Sequence, residues 1–102
     1  MELAEGLAID DVALDAFCRR HGIRRLALFG SAFSDRFGRD SDIDLLVEFV
    51  PDHTPGLLAL AQMELELTNL IGREVDLRTL GDLSRYFRDR VIAEARPLYD
   101  AA

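Results

Sequence analysis

The sequence predicts an α+β fold in two layers, a small sheet of three to four strands flanked by helices. Three observations carry the prediction. Segments with apolar residues at helical spacing alternate with short, nearly continuous apolar runs, in the order α-β-α-β-α-β-α. Turn-forming residues (Gly22, Gly30, Pro51, Gly72 and Pro97) stand at the junctions. A chain of 102 residues has room for one modest core, so a single domain over residues 1–102 is expected. A strictly parallel sheet does not follow, because three strands this short can equally form a mixed one.

Asp10 or Asp11 can cap a first helix that runs through Arg20, with Val12, Ala13, Ala16 and Phe17 on one stripe and Gly22 as the stop. "RRLALF" (24–29) reads as a short buried strand that Gly30 ends. Residues 31–41 are polar and long enough for about two helical turns and a loop. "DIDLLVEFV" (42–50) is a second strand, stopped by Pro51. Thr54-Pro55 suits an N-cap followed by proline at the first helical position. The helix 57–71 that follows is apolar on most of its surface, which predicts cover on more than one side. Gly72 closes it, and "REVDLRT" (73–79) is a third short strand. A last helix, about 83–96, carries Leu83, Phe87, Val91 or Ile92, and Ala95 inward, with Arg85, Arg88 and Arg90 outward, and Pro97 ends it.

Composition narrows the chemistry. No apolar run approaches the roughly 18 residues of a membrane span, and the acidic N-terminus "MELAEGLAIDD" does not resemble a signal peptide, so a cytoplasmic location is expected. The formal charge of −7 opposes extended nucleic-acid binding but leaves nucleotide-sized ligands open. All twelve basic residues are arginine, which excludes chemistry that needs a lysine ammonium or Schiff base. The lone Cys18 forms no internal disulfide, and with only His21 and His53 beside it there is no zinc-type cluster, so any metal must be held by carboxylates. The oligomeric state is left open.

Asp42 and Asp44 are the residues that most need a reason. At i and i+2 of a strand they project to one side while Ile43 faces the other layer. Like charges that close are costly beside a core unless a cation lies between them. Such oxygen ligands suit Mg²⁺, and two ions roughly 3.5–4 Å apart can clamp the attacking and leaving oxygens of a phosphoryl or nucleotidyl displacement. Gly30-Ser31, directly after the first strand, can grip a phosphate through backbone N–H groups and a hydroxyl. Asp76, between Val75 and Leu77 on the third strand, can add a carboxylate that ligates a second metal or takes a proton from an incoming hydroxyl.

Each residue alone has a simpler structural reading. Asp42 after "GRDS" suits a turn, and a glycine-serine pair suits a helix cap. Glu74 shares a face with Asp76 but sits nearer the strand start. His21 reads as a helix C-terminal residue, His53 as a loop residue and Cys18 as a packed small side chain. Ser31 lacks the elbow and oriented histidine of a nucleophile. Tyr86 reads as a core or partner contact. The combination is what favours a functional site.

Gly30-Ser31, ten residues, then Asp42-x-Asp44 resembles the GS-x10-D-x-D signature of the polymerase-beta-like nucleotidyltransferase superfamily. "DSDIDLLVEF" and "GREVDLRT" are similar to its minimal, single-domain members, over roughly residues 22–99. The resemblance implies a mixed sheet flanked by helices and Mg²⁺-dependent transfer of a nucleoside monophosphate, AMP from ATP, to a hydroxyl. It implies two Mg²⁺ ions on Asp42, Asp44 and Asp76, and Gly30 and Ser31 on the triphosphate. Minimal members typically stand beside a small helical HEPN toxin as its antitoxin, and some transfer AMP to a tyrosine of that toxin. The family commonly continues G-S-x-A-R-G, whereas Phe33, Ser34 and Asp35 occupy the A-R-G positions here. The alternative function is therefore a catalytically weak or inactive antitoxin that neutralises its partner by binding alone.

Overall fold

The computed structural model describes residues 1–4, 6–29, 43–83 and 85–101. A short hairpin opens it, β1 (Glu2–Ala4) against β2 (Leu7–Ala8), with Gly6 at φ 75° in the turn. Leu3, Leu7 and Ile9 bury themselves in the common core. α1 (Asp11–Arg20) starts where the Asp10 carboxylate accepts the Ala13 N–H at 2.9 Å, so Asp10 is the cap. Its buried face is Leu14, Phe17 and Cys18, not the stripe through Val12, Ala13 and Ala16, and Val12 is 76% exposed. Both sets fit a 3.6-residue period; the sheet takes the set with the larger side chains, whose burial removes more apolar area from water.

β3 (Ile23–Phe29), β4 (Ile43–Phe49), β5 (Val75–Arg78) and β6 (Arg96–Asp100) form a sheet in the order β5-β4-β3-β6. It is mixed, with β4 and β5 parallel and the β3–β4 and β3–β6 pairs antiparallel. α2 (Leu57–Ile71) spans the connection from β4 to β5, as a parallel crossover requires. A 3-10 turn (Leu80–Asp82), held by a reciprocal Thr79–Asp82 capping box, leads to α3 (Arg85–Glu94).

Alternation sorts the sheet. Leu26, Leu28, Ile43, Leu45, Val47, Val75, Leu77 and Leu98 point to one face, where α1 and α2 cover them with Leu14, Phe17, Cys18, Met63, Leu67 and Ile71. Asp44, Leu46 and Glu48 therefore point to the other face.

Several expectations are corrected. Pro97 does not simply end the last helix: α3 stops at Glu94 and Pro97 lies inside β6, opposite Ala27 at a register shift. β6 is an edge strand, where a missing N–H leaves no ladder bond broken. α2 is capped at Gly56, not Thr54, because the first helical bond runs from the Leu60 N–H to the Gly56 carbonyl at 3.0 Å. Nor is α2 covered on more than one side, since Leu57, Leu58 and Leu65 are 87%, 75% and 66% exposed. Arg88 does not turn outward; it is half-buried and donates to the Leu83 carbonyl at 3.4 Å. Tyr86 is exposed. The hairpin is too short for any periodicity to announce it.

Candidate active site

The site is built at the start of two neighbouring strands. β4 and β5 pair in parallel with Asp44 directly beside Asp76. Paired residues on adjacent strands leave from backbones about 4.8 Å apart and share a face, so both carboxylates stand on the face opposite the two-helix core. The residues on either side, Ile43 and Leu45 next to Asp44 and Val75 and Leu77 next to Asp76, are buried and anchor both strands. The Ile43 N–H donates to the Glu74 carbonyl at 2.8 Å and starts the parallel ladder one residue before the pair. Both carboxylates are half-buried.

On the other side of β4, Asp44 is opposite Phe29, the last residue of β3. Gly30 is thus one peptide bond beyond the partner of Asp44. Gly30, Ser31 and Asp42, together with the two helical turns and loop expected over 31–41 and the altered A-R-G positions, lie outside the described residues. Of the five residues singled out from the sequence, Asp44 and Asp76 are brought together.

α2 finishes the outer edge of this site. β5 is the end strand, so its Val75 and Leu77 N–H groups face away from β4. The first donates to the Thr68 hydroxyl at 3.1 Å and the second to the Glu64 carboxylate at 2.8 Å. Two side chains one helical turn apart therefore replace a missing strand and close an edge that would otherwise pair with another chain. The signal in the sequence is the i,i+4 polar pair that interrupts an apolar helix. Outside this seam lies a groove of about 510 Å³ lined by Ala61, Glu64, Leu65, Thr68, Glu74, Val75 and Asp76. Glu74 precedes β5 and is exposed at the rim, while Asp76 stands within the strand.

The remaining reactive side chains serve the frame. Cys18 is fully buried, and burial with the Asp15 charge beside it pushes its thiol up to about 12. His21 caps α1, and its Nε2–H donates to Glu66 of α2 at 2.8 Å, while Arg20 pairs with the same carboxylate. Burial and the Arg20 charge hold the imidazole below its ordinary value. His53 stands over Gly22, which has a φ of 66°; a Cβ added there would come within 2.9 Å of the His53 Cβ, so no side chain fits.

Residues 11–99 match the profile of the nucleotidyltransferase domain family, nearly the whole chain. The chain belongs to the nucleotidyltransferase family. A candidate protein adenylyltransferase of Methanocaldococcus jannaschii is 37% identical over 76 residues, 74% of this nucleotidyltransferase and 80% of that protein. A solved candidate minimal nucleotidyltransferase superposes with a TM-score of 0.70 at 39% identity, covering 86% of this chain and 88% of that one. The fold is also shared with a chain of the complex between tri-AMPylated Shewanella oneidensis HEPN toxin and MNT antitoxin. There the TM-score is 0.63 at 22% identity, over 89% of this chain and 70% of that one. Among the described residues no helix is long and apolar enough to cross a membrane.

Proposed function

We propose that this nucleotidyltransferase is an antitoxin that moves AMP from ATP onto a tyrosine hydroxyl of a HEPN-type toxin in the cytoplasm. The observation that carries the reading is the in-register pairing of Asp44 with Asp76 on parallel strands at the end of β3. The M. jannaschii relative and the AMPylated HEPN complex support the nucleotide and the partner.

The donor set fits magnesium. Two carboxylates on neighbouring backbones offer hard oxygen ligands, and like charges so placed are unfavourable without a cation to share. Asp44, Asp76 and Asp42 would hold up to two Mg²⁺ ions, which supply charge neutralisation for the triphosphate and its leaving group. Gly30 and Ser31, following Phe29, bind the triphosphate through backbone N–H groups and the hydroxyl. The acceptor oxygen attacks the α-phosphorus; its new O–P bond forms as the bond to the bridging oxygen breaks and pyrophosphate departs. Asp76, on the groove side of the pair, takes the proton of the attacking hydroxyl.

Incubation of the protein with a HEPN-type partner and ATP labelled on either the α or the γ phosphate tests this. The α label is expected on the toxin and the γ label in free pyrophosphate, both abolished by EDTA. Label from neither position on the toxin contradicts the reading.

A further inference from the structure

α2 presents a largely apolar stripe whose two large side chains are left uncovered among the described residues. Leu58, Ala61, Leu65 and Thr68 recur at i, i+3, i+7 and i+10, which places them on one face. Leu58 and Leu65 are 75% and 66% exposed, and Leu57 beside them is 87% exposed. That is unusual for large aliphatic side chains clustered on one helix, and such patches mark interaction surfaces. Ala61, Leu65 and Thr68 also line the groove that Asp76 borders. Stripe and groove thus share Ala61, Leu65 and Thr68, and the groove reaches Asp76.

Its charge selects the occupant. Glu64, Glu74 and Asp76 line the groove and no basic residue is among the described lining residues. A second copy of this chain would bring the same carboxylates and a formal charge of −7 against them. An apolar helix flanked by arginine or lysine is complementary on both counts. We infer that the α2–β5 face docks the acceptor protein through such a basic, apolar segment and delivers its hydroxyl to Asp76 from the groove side. This rests on the reading of the protein as a transferase that modifies a partner. It adds which surface selects that partner.

The test is titration of the HEPN protein onto the wild type, the Leu58→Glu/Leu65→Glu double variant and Glu74→Lys, with nucleotide transfer measured in parallel. Both leucines are surface-exposed, so the fold is expected to survive, as circular dichroism checks, and Leu65→Met should keep wild-type binding. The double variant should raise the Kd for the partner and the KM for it as acceptor by about tenfold or more. Affinity for an ATP analogue and kcat at saturating acceptor should stay within about twofold. Glu74→Lys should weaken binding in the same direction, and added salt should weaken the wild type. Unchanged partner binding in the double variant overturns the inference. So does a self-association lost in that variant while partner binding persists. Wild-type binding that depends on these leucines without any transfer upholds the docking surface and refutes the transferase reading. Transfer abolished by Asp44→Asn but untouched by the leucine changes does the reverse.

Discussion

Asp44 owes its position to its neighbours. Ile43 and Leu45 are buried, so alternation fixes Asp44 on the far face, and the register with β5 does the same for Asp76. Replacement by asparagine keeps size and shape while removing the charge. Asp44→Asn is therefore expected to lower kcat/KM for nucleotide transfer at least about a hundredfold, roughly 2.7 kcal/mol of transition-state stabilisation, with the folded structure retained. Steady-state kinetics and thermal melts check the two separately. Cys18 gives a second expectation. Its thiol, pushed up to about 12 and fully buried, should resist a thiol reagent at pH 8 until the chain is unfolded, and stoichiometric labelling of the native protein would contradict its placement. Asp44 and Asp76 were legible as residues because charge inside an apolar strand has few cheap explanations. Glu64 and Thr68 show in the sequence only as a polar pair that interrupts an apolar helix, and their role depends on which strand ends the sheet, which that spacing does not say.

Among the elements, the edge strands mark where sequence reading succeeds and where it stops. α1, the central strands β3 and β4, α2 and β5 announce themselves by apolar periodicity and by Gly22, Pro51 and Gly72. β6 is hidden because Pro97 reads as a stop, although an edge strand tolerates it. The depth of cover on α2 is hidden as well, because apolar composition does not distinguish a buried face from one that awaits a partner. Two measurements probe these elements. Thr68→Val keeps the shape but leaves the Val75 N–H without its 3.1 Å acceptor, and a loss of about 1–3 kcal/mol is expected in denaturant unfolding. Gly72 ends α2 at φ 81°, and Gly72→Ala should cost about 1 kcal/mol, since alanine meets no clash there but resists the left-handed region. A stability gain in either variant would contradict the arrangement.

At the scale of the whole molecule, α1 and α2 are tied by Arg20 and His21 on Glu66, and this tie responds to pH. The folded imidazole is held below its ordinary 6.5, so the unfolded chain binds the proton more readily. Stability is therefore full above 6.5 and is lost as pH falls from there toward the lower folded value. His21→Gln should flatten this part of the melting-temperature profile between pH 5 and 7, and an unchanged slope would show that other groups set it. Asp76 and the α2 residues Ala61, Leu65 and Thr68 line one groove, so partner capture and transfer are expected to meet at that edge of the sheet.

The measurement that bears most directly on the carboxylate pair as a transfer centre is the intact mass of the HEPN protein after incubation with Mg²⁺, ATP and this chain. The wild type should add one or more adenylyl groups to the toxin, and Asp44→Asn and Asp76→Asn should each abolish the gain while still binding it. Neutralisation of the toxin with no change in its mass, unaffected by either substitution, would contradict the transfer centre and leave a protein that acts by binding alone.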